Sequence, residues 1–510
     1  MSATEQEYKN HIKELEQQVR LLKEQVDFLT RKLYGTKSEK TSSLSIEGQM
    51  SLFNEIETCA DPDAHEPELV EIEKHLRKRK YTGQREELVK NLPHSKVLHT
   101  IDEREQICDN CGSTMVKVGE EFVRTEVQFI PAKLKVIDHY RETYECRSCR
   151  KNGTPYMEKA PVPYPPVLHS LASACTITWL IHQKFELGIL YRQEKEWEAL
   201  GLRLSRATMS NWLLVVYRDW LVHIVHRLKL ELLKQRYLHI DETHVQVLKE
   251  PGRKNTSDSY MWVYCSIRDA VNPIRYFEYQ PGRSGKYPEA FLREYEGYIH
   301  TDAYSGYNAV SGVKRCLCYT HLRRAFVDAL PKDIHNSEAS KPAEAILRLN
   351  QLFNIESELE AFPPDQKKKE RLIREKPLLE AFWSWAEKSA IGELPKSKLS
   401  KAFHYALNNR EGFWNYLEDG NCSISNSLAE NCIRPFVIGR KNWLFSGSPK
   451  GAEASAGIYT LVETAKANGL APMKYIKYIL SDMPGSAFLE HPEYLDDYLP
   501  WNPLVKEFCR

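Results

Sequence analysis

The sequence predicts a multidomain α+β protein, and three observations support this fold class. A heptad pattern of apolar residues near the start of the chain predicts a long helix. Runs rich in β-branched and aromatic residues, at 123–140 and 236–302, predict strands. Helical periodicity dominates 168–233 and 338–412. With 510 residues, of which 42% are hydrophobic, the chain can bury several separate cores.

Charge and composition exclude several classes of protein. Lys and Arg total 71 and Asp and Glu total 70, so any surface for nucleic acid must be local. The first residues are polar and charged, which argues against a signal peptide. No stretch approaches the roughly 20 apolar residues of a membrane helix. We therefore expect a cytoplasmic protein in a reducing compartment, with no membrane partner.

The first element, over residues 1–36, is a predicted leucine-zipper-like coiled coil. Its apolar residues are separated by steps of three and four, with β-branched residues at one seam position and leucines at the other. This alternation favours a parallel two-stranded coil, and hence a homodimer or higher oligomer. The alternative is an amphipathic helix packed on its own chain. Residues 37–100 read as a linker. The seam residues are Ile12, Leu15, Val19, Leu22, Val26, Leu29 and Leu33.

Two CxxC pairs, Cys108 with Cys111 and Cys146 with Cys149, define a predicted module over 101–160. Alternating apolar residues between the pairs predict two or three strands. Four thiolates satisfy tetrahedral zinc without leaving an open position, so one structural Zn²⁺ is expected. The alternative is two unrelated cysteine pairs in a core.

Residues 167–233 contain a candidate helix-turn-helix. A helix reaches Gly201, which can adopt a left-handed turn, and Ser205 or Ser210 can cap the next helix. This layout occurs in DNA-binding proteins and also in plain helical bundles. In the DNA-binding layout, one group of polar side chains would face a groove. The candidates are Arg203, Arg206, Thr208, Ser210 and Asn211.

Two aspartates stand on predicted strands of a mixed sheet. The segment 236–247 carries Asp241, and 297–302 ends in Asp302. Between them, 260–267 and 274–279 complete an antiparallel meander. Aspartates at adjacent strand ends can converge on two hard cations, which phosphodiester chemistry uses. The alternative is that both simply bond to turn amides.

Glu430 is the candidate third carboxylate. The sequence from Ser427 to Glu430 also fits a capping box, in which the glutamate needs no catalytic role. Three cations follow within about three helical turns and form a candidate phosphate-binding surface. These cations are Arg434, Arg440 and Lys441.

Together these segments resemble the insertion-sequence-66 (IS66) family of bacterial transposases over nearly the whole chain. The resemblance is carried by RKLYGTKSEK, the CxxC pairs, LGILYRQEKEWEALGLRLSRATMSNW, HIDET, IHTDAYSGYN, THLRRAF and the long block RPFVIGRKNWLFSGSPKGAEASAGIYTLVETAKANGLAP. It implies a transposase acting on double-stranded DNA, both element ends and target. It leaves open whether helper proteins encoded by the element take part.

The same resemblance implies a ribonuclease-H-like catalytic domain over 234–465, with a helical insertion at about 338–412, and a C-terminal helical domain over 466–510. Asp241, Asp302 and Glu430 correspond to the family's metal-binding triad, which would hold two Mg²⁺ or Mn²⁺ ions for cleavage and strand transfer.

Two departures from the family pattern leave the activity of this copy open. Ser425, Asn426 and Ser427 replace the usual Asp-Asn-Asn run, and Asn431 replaces an arginine. Tyr319 occupies a position that is usually small. Neither change removes a triad carboxylate. Two rival functions therefore remain: a catalytically decayed protein that still binds the element ends, and a nuclease that cuts without joining.

Overall fold

The computed structural model describes residues 137–140, 142–145, 157–159, 161–187, 190–202, 204–331 and 340–510. The predicted coiled coil, its linker, the four CxxC cysteines and Arg203 lie outside these residues. Near the predicted zinc module, two short strands, β1 (Thr143–Glu145) and β2 (Met157–Lys159), pair antiparallel.

Helices precede the main sheet: α1 (Ala174–Phe185), α2 (Leu190–Ala199), α3 (Arg206–Val216) and α4 (Val222–Leu233), with a π-helical turn, Tyr217–Leu221, between α3 and α4. Gly201 has a φ of +93°, which permits the tight turn between α2 and α3. Ser205, rather than Ser210, caps α3, because its hydroxyl accepts the Thr208 backbone N–H at 3.2 Å. The apolar pattern of α3 predicts that Trp212, Leu213 and Val216 face the interior, and all three are buried.

The main sheet is mixed, as predicted. Its strands lie in the order β5-β4-β3-β6-β7. Strands β3, β4 and β5, which follow one another in the sequence, form the predicted antiparallel meander. Strand β6 pairs parallel to β3, and β7 pairs parallel to β6. A short strand, β8, pairs with the far end of β3. The bounds are β3 (Tyr237–Val247), β4 (Asp258–Ser266), β5 (Arg275–Gln280), β6 (Gly297–Thr301), β7 (Val313–Leu317) and β8 (Phe445–Ser446).

Helices that follow β7 build a buried cluster separate from the core around the main sheet. α5 (Lys286–Phe291) and a 3₁₀ turn (Ser305–Ala309) flank β6, and α6 (Tyr319–Asp328) follows β7. α6 packs against α7 and α9, and large aromatic side chains such as Phe326, Phe382 and Trp383 fill this cluster. The helices between α6 and residue 419 are α7 (Lys341–Glu358), α8 (Pro364–Ala390), α9 (Lys398–Asn408), α10 (Arg410–Trp414) and a 3₁₀ turn (Asn415–Glu418).

The C-terminal helices return to the sheet. α12 packs along the outermost strand β5, where Thr460 accepts the backbone N–H of Phe277 at 2.8 Å and Thr464 accepts that of Arg275 at 3.0 Å. These bonds satisfy amides that an exposed edge would leave open to another chain. The bounds are α11 (Ser427–Trp443), α12 (Pro449–Ala467), α13 (Pro472–Asp482), α14 (Pro503–Cys509) and 3₁₀ turns Met483–Gly485 and Pro492–Tyr498.

Candidate active site

Two of the predicted acids belong to adjacent parallel strands, Asp241 within β3 and Asp302 just after the end of β6. His239 in β3 is directly opposite His300 in β6. Asp241 and Asp302 each follow two residues later, and residues two apart in a strand point to the same face. Neighbouring strands are about 4.8 Å apart. The two aspartates therefore occupy matching positions on neighbouring strands.

The two histidines form a buried, stacked layer next to these aspartates. Their ring centroids are 4.2 Å apart with an interplanar angle of 10°. His300 Nδ1 lies 3.1 Å from the Leu238 carbonyl, and His300 Nε2 accepts the backbone N–H of Ser423 at 2.9 Å. His300 is therefore neutral, with its proton on Nδ1. Burial, and then the proximity of His300, lowers the pKa of His239 well below its usual value, so His239 is neutral too.

Asn426 connects this layer to the start of α11. Its side-chain N–H₂ donates to the carbonyl of Ile240 at 2.7 Å, and its Oδ1 lies 3.0 Å from His239 Nδ1, which donates to it. Its backbone N–H donates to the sulfur of Cys318 at 3.1 Å. Asn426 is only 1% exposed. The first turn of α11 is thus attached to the strand that carries Asp241.

Glu430 lies in that first turn. Ser427 is the first residue of α11 and Asn426 is the N-cap, without a side-chain capping bond, so the capping box considered for Ser427 and Glu430 does not form. The two carboxylate oxygens of Glu430 instead lie 3.7 Å from His321 Nδ1 and 3.7 Å from the Arg324 guanidinium, respectively, both on α6.

The carboxyl group of Asp241 lies in an environment that disfavours its charged form. Burial raises the pKa of Asp241 to about 8, and the charge of the adjacent Glu242 adds to the rise. Asp302 and Glu430 also raise it, which requires both carboxylates to lie within effective Coulomb range. One oxygen of Asp241 and one of Asp302 accept the backbone N–H groups of Glu242 and Tyr304, each at 3.0 Å. Both aspartates thus make the backbone amide bonds that the sequence analysis gave as the alternative to a metal site.

A fourth carboxylate, Glu242, is neutralised by its neighbours. Arg283 donates to it from Nε at 2.7 Å, and the hydroxyl of Tyr307 donates at 2.5 Å. The same guanidinium stacks on the ring of Tyr304, 3.9 Å from its centroid, and lies 4.0 Å from Asp302 Oδ2. Glu242 is therefore held in an ion pair beside the other acids.

Arg315 of β7 holds the loop that begins at Asp302. Its guanidinium donates to the carbonyl oxygens of Asp302 and Tyr304, at 2.6 and 2.8 Å. It also donates to the hydroxyl of Thr301 and to the side chain of Asn308, both at 2.7 Å. Four directed bonds from one planar group define the path of this loop.

The candidate DNA-contacting residues fall into two groups. Arg206, Asn211, Arg434 and Lys441 are exposed, and Ser210 is half-buried. Arg440 differs from the prediction, because it is only 8% exposed and its guanidinium donates to Thr243 Oγ1 at 3.2 Å and to the carbonyl of His244. Arg440 ties α11 to β3, so we withdraw it as a phosphate contact.

Several residues of the site carry no clear local signal in the sequence. The pattern His-x-Asp occurs at both aspartates, His239 to Asp241 and His300 to Asp302, and this repetition is one signal that could reveal the histidine layer. Asn426, Arg283 and Arg315 act through contacts with distant segments, which no spacing along the chain indicates.

The donor set fits divalent cations. Desolvated carboxylates that repel one another are stabilised by a cation, and oxygen donors suit Mg²⁺ and Mn²⁺. One oxygen of Glu430, Oε1, is buried without a hydrogen-bond partner among the described residues. Asp241, Asp302 and Glu430 are the groups that would hold such ions.

Comparisons with known proteins show the family to which the chain belongs. The family model described as Transposase IS66 family matches residues 169–454, more than half of the chain and the whole of the site. The chain belongs to the IS66 transposase family. The family's zinc-finger binding domain matches residues 105–150, a range that includes both CxxC pairs and supports a structural zinc. A model described as Transposase C of IS166 homeodomain matches residues 21–97.

Full-length relatives of this IS66 chain occur in Sinorhizobium fredii. The uncharacterized protein y4jD is 25% identical, over 98% of this chain and 98% of its own length. The uncharacterized proteins y4hP and y4qI are 25% and 27% identical, each over 93% of this chain and 87% of its own length. No solved structure matches. Among the described residues, no helix combines the length and apolar character needed to cross a bilayer.

Proposed function

We propose that this IS66-family chain cleaves the ends of an insertion sequence and joins them to target DNA, in a reaction that depends on Mg²⁺ or Mn²⁺. Asp241, Asp302 and Glu430 are the proposed catalytic residues and the ligands of two such cations. The observation that carries the proposal is geometric: His239 and His300, two residues before Asp241 and Asp302, are paired on adjacent parallel strands, and Asn426 at the start of the Glu430 helix donates to the Ile240 carbonyl. Acids 61 and 189 positions from Asp241 in the sequence are thus held on segments that contact its strand.

A ribonuclease-H-like fold for the catalytic domain is part of the proposal. The strand order supports it, since β3 is central, with the antiparallel meander on one side and the parallel strands β6 and β7 on the other. Two acids on adjacent strands, Asp241 within β3 and Asp302 just after β6, and a third on a later helix are what such a domain requires. The helices between α6 and α11 would be its insertion.

The chain's own residues supply positioning and charge. When bound, the cations would neutralise the scissile phosphate and activate the attacking oxygen. Arg315 keeps the loop of Asp302 in place, and Asn426 keeps the helix of Glu430 against β3. Arg283 pairs with Glu242, so this fourth acid is withheld from competition for the cations. Holding reacting groups in place accounts for a large part of the catalysis of phosphoryl transfer.

DNA contacts are proposed for two surfaces. Exposed Arg434 and Lys441 on α11 are suited to backbone phosphates, which bind cations without regard to sequence. Arg206, Ser210 and Asn211 on α3, together with Arg203, would face the terminal repeats. The zinc module, held by Cys108, Cys111, Cys146 and Cys149, would assist this recognition. The N-terminal coiled coil would pair two protomers across two element ends.

A strand-transfer assay with labelled DNA carrying the candidate ends tests the proposal. Wild-type protein with Mg²⁺ is expected to yield nicked ends and joined products. Asp241→Asn and Glu430→Gln should each reduce both products at least a hundredfold while end binding persists. Asp269→Asn removes an exposed carboxylate from the turn between β4 and β5 and is the matched control.

The products distinguish the rival functions. End binding without any cleavage by the wild-type protein would identify a decayed DNA-binding protein. Cleavage without joined product would identify a nuclease. Full activity of Asp302→Asn would overturn the assignment of the site.

A further inference from the structure

The surroundings of Glu430 include donors other than oxygen. Cys318 Sγ, His321 Nδ1 and one carboxylate oxygen of Glu430 all lie within 4.8 Å of one another. Cys318 is the N-cap of α6 and His321 stands three residues later in its first turn. Residues three apart lie on one side of a helix, so α6 presents sulfur and nitrogen together toward α11.

Two of these three donors lack hydrogen-bond partners among the described residues. His321 Nδ1 and Glu430 Oε1 are buried and unpartnered, and the 3.7 Å between them is too long for a hydrogen bond. Leaving such buried groups unsatisfied is unfavourable. Two ligands of a tetrahedral zinc ion, each about 2.1 Å from the metal, lie about 3.4 Å apart. A small cation could therefore satisfy both atoms after a slight adjustment.

The sulfur of Cys318 is arranged as a metal-bound thiolate would be. It accepts the backbone N–H of Asn426 at 3.1 Å, and such a bond favours the charged form of the sulfur. Burial, the larger influence here, raises the pKa of the Cys318 thiol. Binding of a thiophilic cation would displace the proton.

We propose that Cys318, His321 and Glu430 bind one thiophilic divalent cation of the Zn²⁺ class, at a site that shares Glu430 with the carboxylate site. One sulfur, one nitrogen and one oxygen suit Zn²⁺, Co²⁺ or Cd²⁺, whereas Mg²⁺ takes oxygen ligands. Three protein ligands leave a fourth position open. If the proposed function also holds, a Zn²⁺ ion here withdraws Glu430 from catalysis and inhibits the Mg²⁺ reaction.

A second cluster with similar donors does not qualify. His300, Cys316 and Cys422 also lie within 4.8 Å of one another, and all three are buried. Both ring nitrogens of His300 are already used, by the Leu238 carbonyl and the Ser423 backbone N–H. This cluster belongs to the hydrogen-bonded histidine layer.

Cobalt titration of the full-length protein, prepared with a single equivalent of Zn²⁺ for the CxxC module, tests the proposal. One equivalent of Co²⁺ beyond the structural zinc is expected, with a sulfur-to-cobalt charge-transfer band. Cys318→Ser should abolish the band, and His321→Asn should weaken binding at least tenfold. Cys432→Ser alters a cysteine of α11 that is not part of the proposed site. This variant is the control and should bind Co²⁺ like the wild type. No additional equivalent in the wild-type protein would overturn the proposal.

X-ray absorption at the cobalt edge provides a test without variants, in case a substitution impairs folding. The expected shell is one sulfur at about 2.3 Å with nitrogen and oxygen at about 2.0–2.2 Å. A shell without sulfur would contradict the proposal. These readouts need no DNA, so absent strand transfer with normal Co²⁺ binding would refute only the proposed function. Active strand transfer without Co²⁺ binding would refute only this inference.

Inhibition links the two proposals. Zn²⁺ added to the Mg²⁺-dependent reaction is expected to inhibit the wild-type protein. In Cys318→Ser the Zn²⁺ concentration for half-inhibition, measured against that variant's own Mg²⁺ activity, should rise at least tenfold. Equal sensitivity in both proteins would show that the inhibiting ion binds elsewhere.

Discussion

The side-chain amide of Asn426 donates a hydrogen bond to the main-chain carbonyl of Ile240, with 2.7 Å between nitrogen and oxygen. Ile240 immediately precedes Asp241, and Asn426 lies one helical turn before Glu430. A single buried amide thus joins the strand of one proposed catalytic acid to the helix of another. This contact fixes the relative position of groups that lie far apart in the sequence.

Asn426→Ala is expected to reduce strand transfer at least tenfold while leaving end binding intact. The substitution leaves the Ile240 carbonyl and His239 Nδ1 without their partner, which should lower the free energy of unfolding by about 1–3 kcal/mol. Asn426→Asp should reduce strand transfer at least as much as Asn426→Ala, because a carboxylate would place an oxygen against the Ile240 carbonyl. Denaturation and strand-transfer assays measure the two effects.

Asn442→Ala is the matched control, since Asn442 is exposed near the end of α11 and its amide reaches only the Ile438 carbonyl at 3.5 Å. It should behave like the wild type. Wild-type strand transfer by Asn426→Ala would show that the contact does not position Glu430.

Asp241→Asn is expected to stabilise the metal-free protein. The raised pKa of Asp241 means that folding disfavours its ionised form, so stability is lost as the pH rises from its ordinary value near 4 toward about 8. Asparagine cannot ionise, and we expect a gain of about 1–3 kcal/mol at pH 7.5, at about 1.4 kcal/mol per pKa unit. Thermal denaturation in EDTA measures it.

Mg²⁺ should raise the Tm of the wild-type protein, because it binds only the folded state, and should have little effect on Asp241→Asn. Asp269→Asn, on an exposed turn, should match the wild type in both conditions. A lower Tm for Asp241→Asn in EDTA, with an unchanged response to Mg²⁺, is the result that contradicts this prediction.

Arg315→Lys is expected to weaken activity through the Asp302 loop. Lysine cannot reproduce the planar set of bonds to Thr301, Asp302, Tyr304 and Asn308. We expect strand transfer to fall about tenfold and the Mg²⁺ concentration for half-maximal rate to rise, because Asp302 would be less well positioned. A Mg²⁺ titration of the reaction rate measures both.

Arg268→Lys is the control, as Arg268 is exposed and lies 3.8 Å from Glu360. A loss of stability in Arg315→Lys without any change in Mg²⁺ dependence would assign Arg315 a purely structural role.

Patterns in short stretches of the sequence predicted most of the helices, strands and turns whose structure depends mainly on neighbouring residues. The strands around Asp241 and the meander follow from runs of β-branched and aromatic residues, and Gly201 marks the turn before α3. The strand β7 was not predicted, because its sequence VKRCL is short and polar at two of five positions. It is a strand because it pairs with β6, a contact decided by the whole sheet.

Among the residues of the candidate site, only the acids could be predicted from the sequence. Asp302 stands out at the end of a strand, and the resemblance to the IS66 family identifies Glu430. The interior position of Arg440 could not be predicted, because a cation in a basic helical segment is usually exposed. Its burial depends on the carbonyl of His244, which β3 presents from almost 200 residues earlier.

Glu375 of α8 is expected to make the stability of the protein depend on pH. It is fully buried, and the hydroxyl of Tyr416 donates to it at 2.6 Å. Nearby, Arg371 pairs with Glu356 at 2.6 Å and donates to the carbonyl of Cys422 at 2.8 Å, on the segment that leads to α11. Burial, and then the charge of Glu356, raises the pKa of Glu375 to about 8.

Between pH 4.5 and 8 the folded chain keeps the Glu375 proton that the unfolded chain has lost. The free energy of unfolding should therefore fall as the pH rises through this window, by at most about 1.4 kcal/mol per pH unit from this group. Glu375→Gln still accepts the Tyr416 hydrogen bond and cannot ionise, so its Tm should fall less between pH 5 and pH 8. Glu380→Gln, at an exposed position on the same helix, should follow the wild type. Equal falls in Tm for the wild type and Glu375→Gln would mean that the Glu375 carboxyl ionises as easily inside the fold as in water.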